Sequence, residues 1–157
     1  TMDLVILMKE ERKLLVSHIG DTKVALFDND GSVRFQTKAQ NAFMRSELER
    51  LRREKIRLRK MRTSGTLAMS RSLGDIQIAG VSHKAEFSII DLLETDRWLA
   101  IACDGIMDDV DIQSMSDILV HTNSALKACC LLRDMAYSRG SEDNISSIVI
   151  DLKSLFQ

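Results

Sequence analysis

Short apolar runs alternate with clusters of Gly, Asn and Asp along the first quarter of the chain. Leu14 to Ile19 is a nearly continuous apolar run that ends at Gly20-Asp21, and a second run covers Val24 to Phe27. The turn residues Asp-Asn-Asp-Gly at 28–31 precede a third run, Val33 to Phe35. Apolar runs bounded by such residues are typical of β-strands. We therefore predict consecutive antiparallel strands in this part of the chain.

The next segment has the apolar spacing of a helix and a high density of cationic residues. Its apolar positions recur at steps of four, three and seven residues, at Met44, Leu48, Leu51 and Leu58. Steps of this size place side chains on one face of an α-helix. We predict a single helix over residues 43–62, which we call the basic segment.

The second half of the chain mixes both patterns. Strands are predicted at Glu86 to Asp91, Trp98 to Cys103 and Ile145 to Leu152. Between the last two, apolar stripes at helical spacing predict two helices, the second capped by Asn123 or Ser124. Strands, then helices, then a closing strand predict an α+β fold with antiparallel sheets rather than repeated βαβ units.

Composition limits the class of protein. The 157 residues suit one domain, and 45% hydrophobic with 29% charged residues is ordinary for a globular chain. No apolar run approaches the roughly 18 residues of a membrane span. Cys103, Cys129 and Cys130 lie in apolar runs, which indicates reduced buried thiols and a cytoplasmic protein, with the nucleus as the alternative. The three histidines are isolated, which disfavours a zinc site.

Charge is distributed unevenly. Residues 45–62 hold nine Lys or Arg and three Asp or Glu, a net +6, so the remainder carries −7 of the total −1. A solvated surface helix is the simplest interpretation of the basic segment. A docking surface for an acidic protein partner or phosphopeptide is the second. Nucleic acid is disfavoured, because the only aromatic residue of the segment is Phe43 at one end.

Four aspartates share a position at the ends of predicted strands. Asp21 follows the first apolar run, Asp104 follows Trp98 to Cys103, Asp108 comes four residues later, and Asp143 precedes the final strand. Carboxylates gathered at strand ends are suitable ligands for Mg²⁺. The same residues also serve as ordinary turn residues, and spacing alone leaves both interpretations open.

Four sequence blocks, in order, resemble the later motifs of the metal-dependent type 2C family of protein serine/threonine phosphatases. They read LLVSHIGDTKVAL, GTLAMSRSLGD, DRWLAIACDGIMDDV and RGSEDNISSIVI. Any one block is weak evidence. Four in family order, spread over nearly the whole chain, identify it as a member, or part of a member, of this family.

The resemblance implies a fold, a reaction and a set of site residues. The fold is an antiparallel β-sandwich flanked by helices, and the reaction is hydrolysis of phosphoserine and phosphothreonine in proteins by water activated at two Mg²⁺ or Mn²⁺ ions. Matching implies that Asp104 and Asp143 bind the metal pair, and that Asp21 with Asp104 and Asp108 binds an additional ion. Supporting roles, mainly structural, fall to Gly20, Gly74, Gly105, Asn144, Ser70, Arg71 and Asp75.

Departures from the family pattern limit these expectations. The family's Asp-Gly-His-Gly-Gly motif, acidic segment and phosphate-binding Arg are not found, so the chain 1–157 is expected to be one phosphatase-like domain without the N-terminal segment. Thr22-Lys23 stands where the family has Ser-Arg, and Cys103 stands where the family has Ser. The chain alone is expected to be inactive. The alternative function is a catalytically inactive pseudophosphatase that binds a protein partner.

An incomplete sandwich should expose apolar surface. Self-association, or binding of a separate N-terminal piece, would cover that surface. The alternative expectation is that the basic segment folds across the gap, with Met44, Leu48, Leu51 and Leu58 facing inward.

Overall fold

A computed structural model describes residues 1–156 as two main sheets, a small hairpin and a group of helices. The strands are β1 Met2–Met8, β2 Lys13–Ile19, β3 Lys23–Asp28, β4 Val33–Gln36, β5 Leu58–Arg59, β6 Arg62–Thr63, β7 Glu86–Asp91, β8 Asp96–Ala102 and β9 Ser147–Asp151. The helices are α1 Arg45–Arg53, α2 Asp104–Met107, α3 Ile112–His121, α4 Ala125–Ser138 and a 3₁₀ turn, Leu152–Leu155. None of the helices within residues 1–156 has the length and apolar character to cross a membrane.

Both main sheets are antiparallel. The first has the order β1-β2-β7 and the second β4-β3-β8-β9. The α+β sandwich predicted from the sequence is thereby confirmed. One connection differs, because β2 and β3 do not pair as a hairpin but lie in different sheets. Strand β2 lies between β1 and β7, and β3 lies between β4 and β8, so neither has a free edge for the other. The chain crosses between the sheets at Gly20, where φ is 114°.

The two sheets enclose one apolar core. Leu14 and Val16 of β2 face Val24 and Leu26 of β3, and all four side chains are at most 1% exposed. Alternate residues of a strand point to opposite faces, so the remaining residues of β3 face the other way. Burial on both sides explains why these runs are almost continuously apolar.

Helices α3 and α4 cover the outer face of the second sheet. Ala25 and Phe27 of β3 and Trp98 of β8 form a second core with these helices, and each is fully buried. The helices begin where side chains accept backbone hydrogen bonds, at Asp111 for α3 and Ser124 for α4. The prediction of a cap at Asn123 or Ser124 is confirmed.

The outer face of the first sheet has no such cover among residues 1–156. The strand register places Leu4, Ser17 and Phe87 in one row and Ile6, Leu15 and Ile89 in the next. Leu4, Ile6, Phe87 and Ile89 are 48%, 43%, 71% and 66% exposed. The basic segment does not cover this face, contrary to the alternative expectation.

The basic segment is not one helix over 43–62, and that prediction is wrong. Helix α1 ends at Arg53, and residues 58–63 form the β5-β6 hairpin. Lys55 turns the chain with a φ of 57°, while the Ile56 and Lys55 amides donate to the carbonyls of Leu51 and Arg52. This pair of bonds is the Schellman arrangement, which ends a helix at a left-handed residue.

Candidate metal centre

The predicted metal ligands lie at one end of the second sheet. Strand register pairs Lys23 with Ala102 and Ala102 with Ser147, so the start of β3, the end of β8 and the start of β9 lie side by side. Asp21 lies two residues before β3, Asp104 and Asp108 follow β8, and Asp143 precedes β9. The topology therefore brings all four carboxylates to the same edge.

Helix α2 determines how two of these carboxylates are presented. The Asp108 amide donates to the Asp104 carbonyl at 2.8 Å, which is one helical turn. Residues four apart lie on the same face of a helix. Asp104 and Asp108 therefore point in a similar direction from the end of β8.

The carboxylates influence one another electrostatically. Burial raises the pKa of Asp21 above its ordinary value, and the charges of Asp104 and Asp108 raise it further, while a backbone hydrogen bond and the chain's amino terminus act in the opposite direction. Burial also raises the pKa of Asp108, with added repulsion from Asp104, Asp109 and Asp143. The charge of Asp104 thus acts on both Asp21 and Asp108.

Close packing joins the loop after β8 to the loop before β9. A β-carbon on Gly105 would clash with the backbone carbonyl of Asn144 and would lie 3.2 Å from the β-carbon of Asp143. The hydroxyl of Ser141 donates to the Gly105 carbonyl at 2.7 Å. Only glycine allows this approach, which holds Asp143 beside helix α2.

Cys103 makes the hydrogen bonds of a short polar side chain. Its thiol donates to the Asn144 carbonyl at 3.0 Å, and its sulfur accepts from the Ser146 amide at 3.1 Å. The backbone N–H of Asn144 donates to a carboxylate oxygen of Asp143 at 2.6 Å, and the Asn144 side-chain nitrogen lies 3.5 Å from the same oxygen. Cys103 and Asn144 thus position the loop that carries Asp143.

The donor set fits a hard divalent cation in its chemistry. Carboxylate oxygens are the preferred ligands of Mg²⁺ and Mn²⁺, and a cation would relieve the repulsion that raises the pKa of Asp21 and Asp108. Across residues 1–156, however, no three His, Cys, Asp or Glu side chains are close enough together to hold an ion as placed. The carboxylates are gathered but do not enclose an ion.

Ser70 and Arg71 belong to a separate buried network centred on Glu47 of α1. The Glu47 carboxylate is 3% exposed and accepts from the Ser70 hydroxyl at 2.7 Å, from Arg71 Nε at 3.0 Å and from Arg50 Nε at 3.2 Å. Burial alone would raise the pKa of Glu47, but its hydrogen bonds with Arg71 and Ser70 and the nearby guanidinium charges lower it overall. The mainly structural role expected of Ser70 and Arg71 agrees with this geometry.

The sequence interpretation missed Glu47 and Gln40. For Glu47 the available signal was the block ELERL at 47–51, which resembles a family Glu-x-x-Arg helix. Gln40 had no signal, yet it joins the network to the metal-site corner. Its side chain accepts from the Gly20 amide at 2.8 Å, its amide donates to the Gly20 carbonyl at 2.7 Å, and its carbonyl accepts from the Ser70 amide at 2.7 Å.

Asp75 is hydrogen-bonded to a residue close to it in sequence, and Gly74 has open space around its α-carbon. The Ser72 hydroxyl donates to the Asp75 carboxylate at 2.8 Å, and Asp75 itself has a φ of 60°. A β-carbon on Gly74 would meet no atom within 4 Å. The structure therefore gives a turn role to Asp75 and no steric requirement for glycine at position 74.

Comparison with known proteins gives one consistent family. The family model described as Protein phosphatase 2C matches residues 1–145. The chain is 29% identical over 149 residues to "Protein phosphatase 2C homolog 1" of Saccharomyces cerevisiae, covering 93% of this chain and 52% of the relative. It is 29% identical to "Protein phosphatase 1F" of Mus musculus, covering 89% of this chain and 33% of the relative. The chain thus spans about half, or less, of these relatives.

Solved structures agree on the fold. The chain superposes on a Caenorhabditis elegans sex-determining protein with a TM-score of 0.82 at 18% identity, covering 98% of this chain and 41% of that one. A phosphatase from a pathogenic strain of Toxoplasma gondii gives 0.73 at 23% identity, covering 87% and 47%.

Proposed function

The chain belongs to the protein phosphatase 2C family, and we propose that it supplies the Asp21, Asp104, Asp108 and Asp143 part of a metal-dependent site that hydrolyses phosphoserine and phosphothreonine in proteins. The observation that carries the proposal is the strand register, which sets the start of β3, the end of β8 and the start of β9 side by side, next to these aspartates. Burial and mutual repulsion raise the pKa of Asp21 and Asp108 there, in agreement with a clustered set of carboxylates. Asp104 acts on both Asp21 and Asp108 and is the ligand shared by both proposed ion sites, so it is the first ligand to test.

The chain's own residues have defined tasks in this proposal. Asp104 and Asp143 would hold the paired Mg²⁺ or Mn²⁺ ions, and Asp21 with Asp104 and Asp108 would hold a further ion. When bound, such ions neutralise phosphoryl oxygens and activate water for in-line attack. Gly105 and Asn144 keep Asp143 in place, and Gln40 anchors the corner that carries Asp21.

The four carboxylates are only part of the ligand set that the family motifs imply. The Asp-Gly-His-Gly-Gly motif, which supplies the bridging carboxylate in the family, is not in these 157 residues. Without a bridging anion, two nearby cations repel each other and the second binds weakly. We therefore expect the chain alone to release little phosphate from a phosphopeptide.

A chimera tests the proposed activity directly. This chain would replace the matching part of the Saccharomyces cerevisiae relative, and phosphate release from a phosphothreonine peptide would be measured with Mn²⁺. We expect Mn²⁺-dependent release that Asp104→Asn abolishes and that Asp30→Asn, in the exposed turn before β4, leaves unchanged. A folded chimera without turnover would contradict the catalytic proposal.

The second candidate function is that of a pseudophosphatase, a fold retained for protein binding. The observation in its favour is that no three His, Cys, Asp or Glu side chains of residues 1–156 lie close enough together to hold an ion. The four aspartates weigh against it, because a site without function has no need to keep carboxylates in mutual repulsion. A chimera that folds, binds Mn²⁺ and stays inactive would favour this second function.

A further inference from the structure

Residues 52–62, which we call the cationic hairpin, carry seven Lys or Arg and one acidic residue, Glu54. All seven cationic residues are exposed. None of them forms an ion pair with a carboxylate of residues 1–156, whereas Glu54 is already paired with Arg50 at 2.9 Å. From the end of α1 through the β5-β6 hairpin, the structure thus presents seven exposed cations that have no carboxylate partner within residues 1–156.

The backbone of the cationic hairpin is held in an unusual conformation. Lys60 and Met61, which join β5 to β6, have φ values of 50° and 58°. Such two-residue turns strongly favour Asn-Gly, because only glycine and a few polar residues enter the left-handed region easily. Lysine at positions 55 and 60, both left-handed, keeps charge where a neutral turn residue would fit the backbone better.

The hairpin is fixed at its base and connected by a series of hydrogen bonds to the corner that carries Asp21. The Thr63 amide donates to the Leu67 carbonyl at 2.8 Å, and the Ser64 hydroxyl donates to the Ala79 carbonyl at 2.7 Å. Helix α1, which leads into the hairpin, is tied through Glu47 to Ser70, and Ser70 through Gln40 to Gly20. Gly20 is the residue before Asp21.

We propose that the cationic hairpin is a docking surface for acidic or multiply phosphorylated segments of the protein substrate, beside the phosphorylated residue. The proposal rests on the proposed function. Guanidinium groups pair with carboxylates and phosphates through two parallel hydrogen bonds, and five of the seven cations are arginines.

A short acidic peptide segment fits this surface better than nucleic acid. Outside residues 45–62 the chain carries a net −7, so a polyanion extending beyond the hairpin would meet a negative surface. No aromatic residue occurs between Phe43 and Phe87, so no base-stacking side chain is available there.

Fluorescence anisotropy in the presence of a chelator tests the proposal. The probe is a labelled phosphothreonine peptide with flanking Asp and Glu, compared with the same peptide carrying Asn and Gln. We expect tighter binding of the acidic peptide, weakening as salt is raised. The triple variant Arg57→Glu, Arg59→Glu, Lys60→Glu should weaken binding by roughly tenfold or more.

A matched triple variant distinguishes an effect of the hairpin itself from an effect of the protein's net charge. Lys9→Glu, Lys127→Glu and Lys153→Glu change the net charge equally at exposed positions elsewhere, and should change affinity by less than about threefold. If the Glu triple variant misfolds, the same three positions changed to Gln replace it. Equal weakening by both triple variants would overturn the proposal.

The remaining outcomes are equally decisive. Equal affinity for the acidic and neutral peptides, or tighter binding of a single-stranded oligonucleotide or an anionic vesicle at the same salt, would overturn the proposal. The binding assay needs no metal. If the peptide binds to this chain but the chimera is inactive, only the proposed activity is refuted. An active chimera without peptide binding would refute only the docking surface.

Discussion

The backbone carbonyl of Asn144 occupies the space that a β-carbon on Gly105 would need. Gly105 follows Asp104, and Asn144 follows Asp143, so this contact sets the spacing of the two aspartates proposed to bind the metal pair. Because the opposing atom is backbone, it cannot move aside as a flexible side chain would.

Gly105→Ala is therefore expected to lower the free energy of unfolding by about 1–3 kcal/mol, as overpacking of a tight contact does. It should also weaken Mn²⁺ binding, because Asp143 is displaced. Gly74→Ala, where a β-carbon meets nothing within 4 Å, is the control and should stay within about 0.5 kcal/mol of wild type. Urea unfolding of both variants makes the comparison. Equal stability of the two variants would contradict the claim that the Gly105–Asn144 packing leaves no room for a β-carbon.

Elements whose structure depends on one local pattern of residues could be predicted from the sequence. The apolar runs around Leu14, Val24 and Trp98 predicted strands that are buried on two sides, and Ser124 marked the start of α4. The four aspartates were predicted to converge because strand ends meet at one end of a sheet, and the register does bring the adjoining strand ends together. Their convergence on one ion stays a prediction, since no three such side chains of residues 1–156 are close enough to hold one. Their role as ligands stays a prediction.

Two features could not be predicted because they depend on tertiary structure. Arg and Lys favour helices, and Leu58 fits the apolar spacing of α1, so nothing in the sequence reveals that Lys55 ends the helix in a left-handed conformation. An apolar run likewise indicates a buried strand without indicating its sheet, so the pattern predicts consecutive antiparallel strands but not the crossing between sheets at Gly20.

Glu47→Gln should destabilise the protein by roughly 2–4 kcal/mol, because it removes the buried carboxylate that Arg50 and Arg71 share. Each guanidinium would keep only its more exposed partner, Glu54 for Arg50 and Glu86 for Arg71. The matched control is Glu49→Gln on the same helix, where the side chain is 55% exposed and pairs with Arg45. Its effect should be below about 1 kcal/mol. Unfolding in urea measures both. A loss for Glu47→Gln as small as for its control would contradict the network.

The same pair of variants predicts a pH dependence. The pKa of Glu47 is lowered in the folded protein from its ordinary value of 4.5, so its stabilising effect is present above that pH and is lost as pH falls through the folded pKa. The stability difference between wild type and Glu47→Gln should be largest at neutral pH and should shrink below pH 4.5. A difference independent of pH would refute an ionised Glu47.

The uncovered apolar face of the first sheet should cause association. Light scattering over a concentration series is expected to show a rising mass for wild type, because contact would bury Leu4 and Ile89. Leu4→Lys with Ile89→Lys should abolish this rise. Leu126→Lys, on α4 at a site 76% exposed, should not. A wild-type chain that stays monomeric at every concentration would contradict the prediction.

Direct titration of Mn²⁺ into this chain by calorimetry tests the central claim, that the aspartates at the end of the second sheet form a cation site. Wild type should show saturable uptake, and Asp104→Asn should weaken it by about tenfold or more, as removal of a shared carboxylate ligand requires. Asp30→Asn removes one exposed carboxylate elsewhere and should bind like wild type. Uptake that Asp104→Asn leaves unchanged, or no saturable uptake by the folded wild type, would contradict the account.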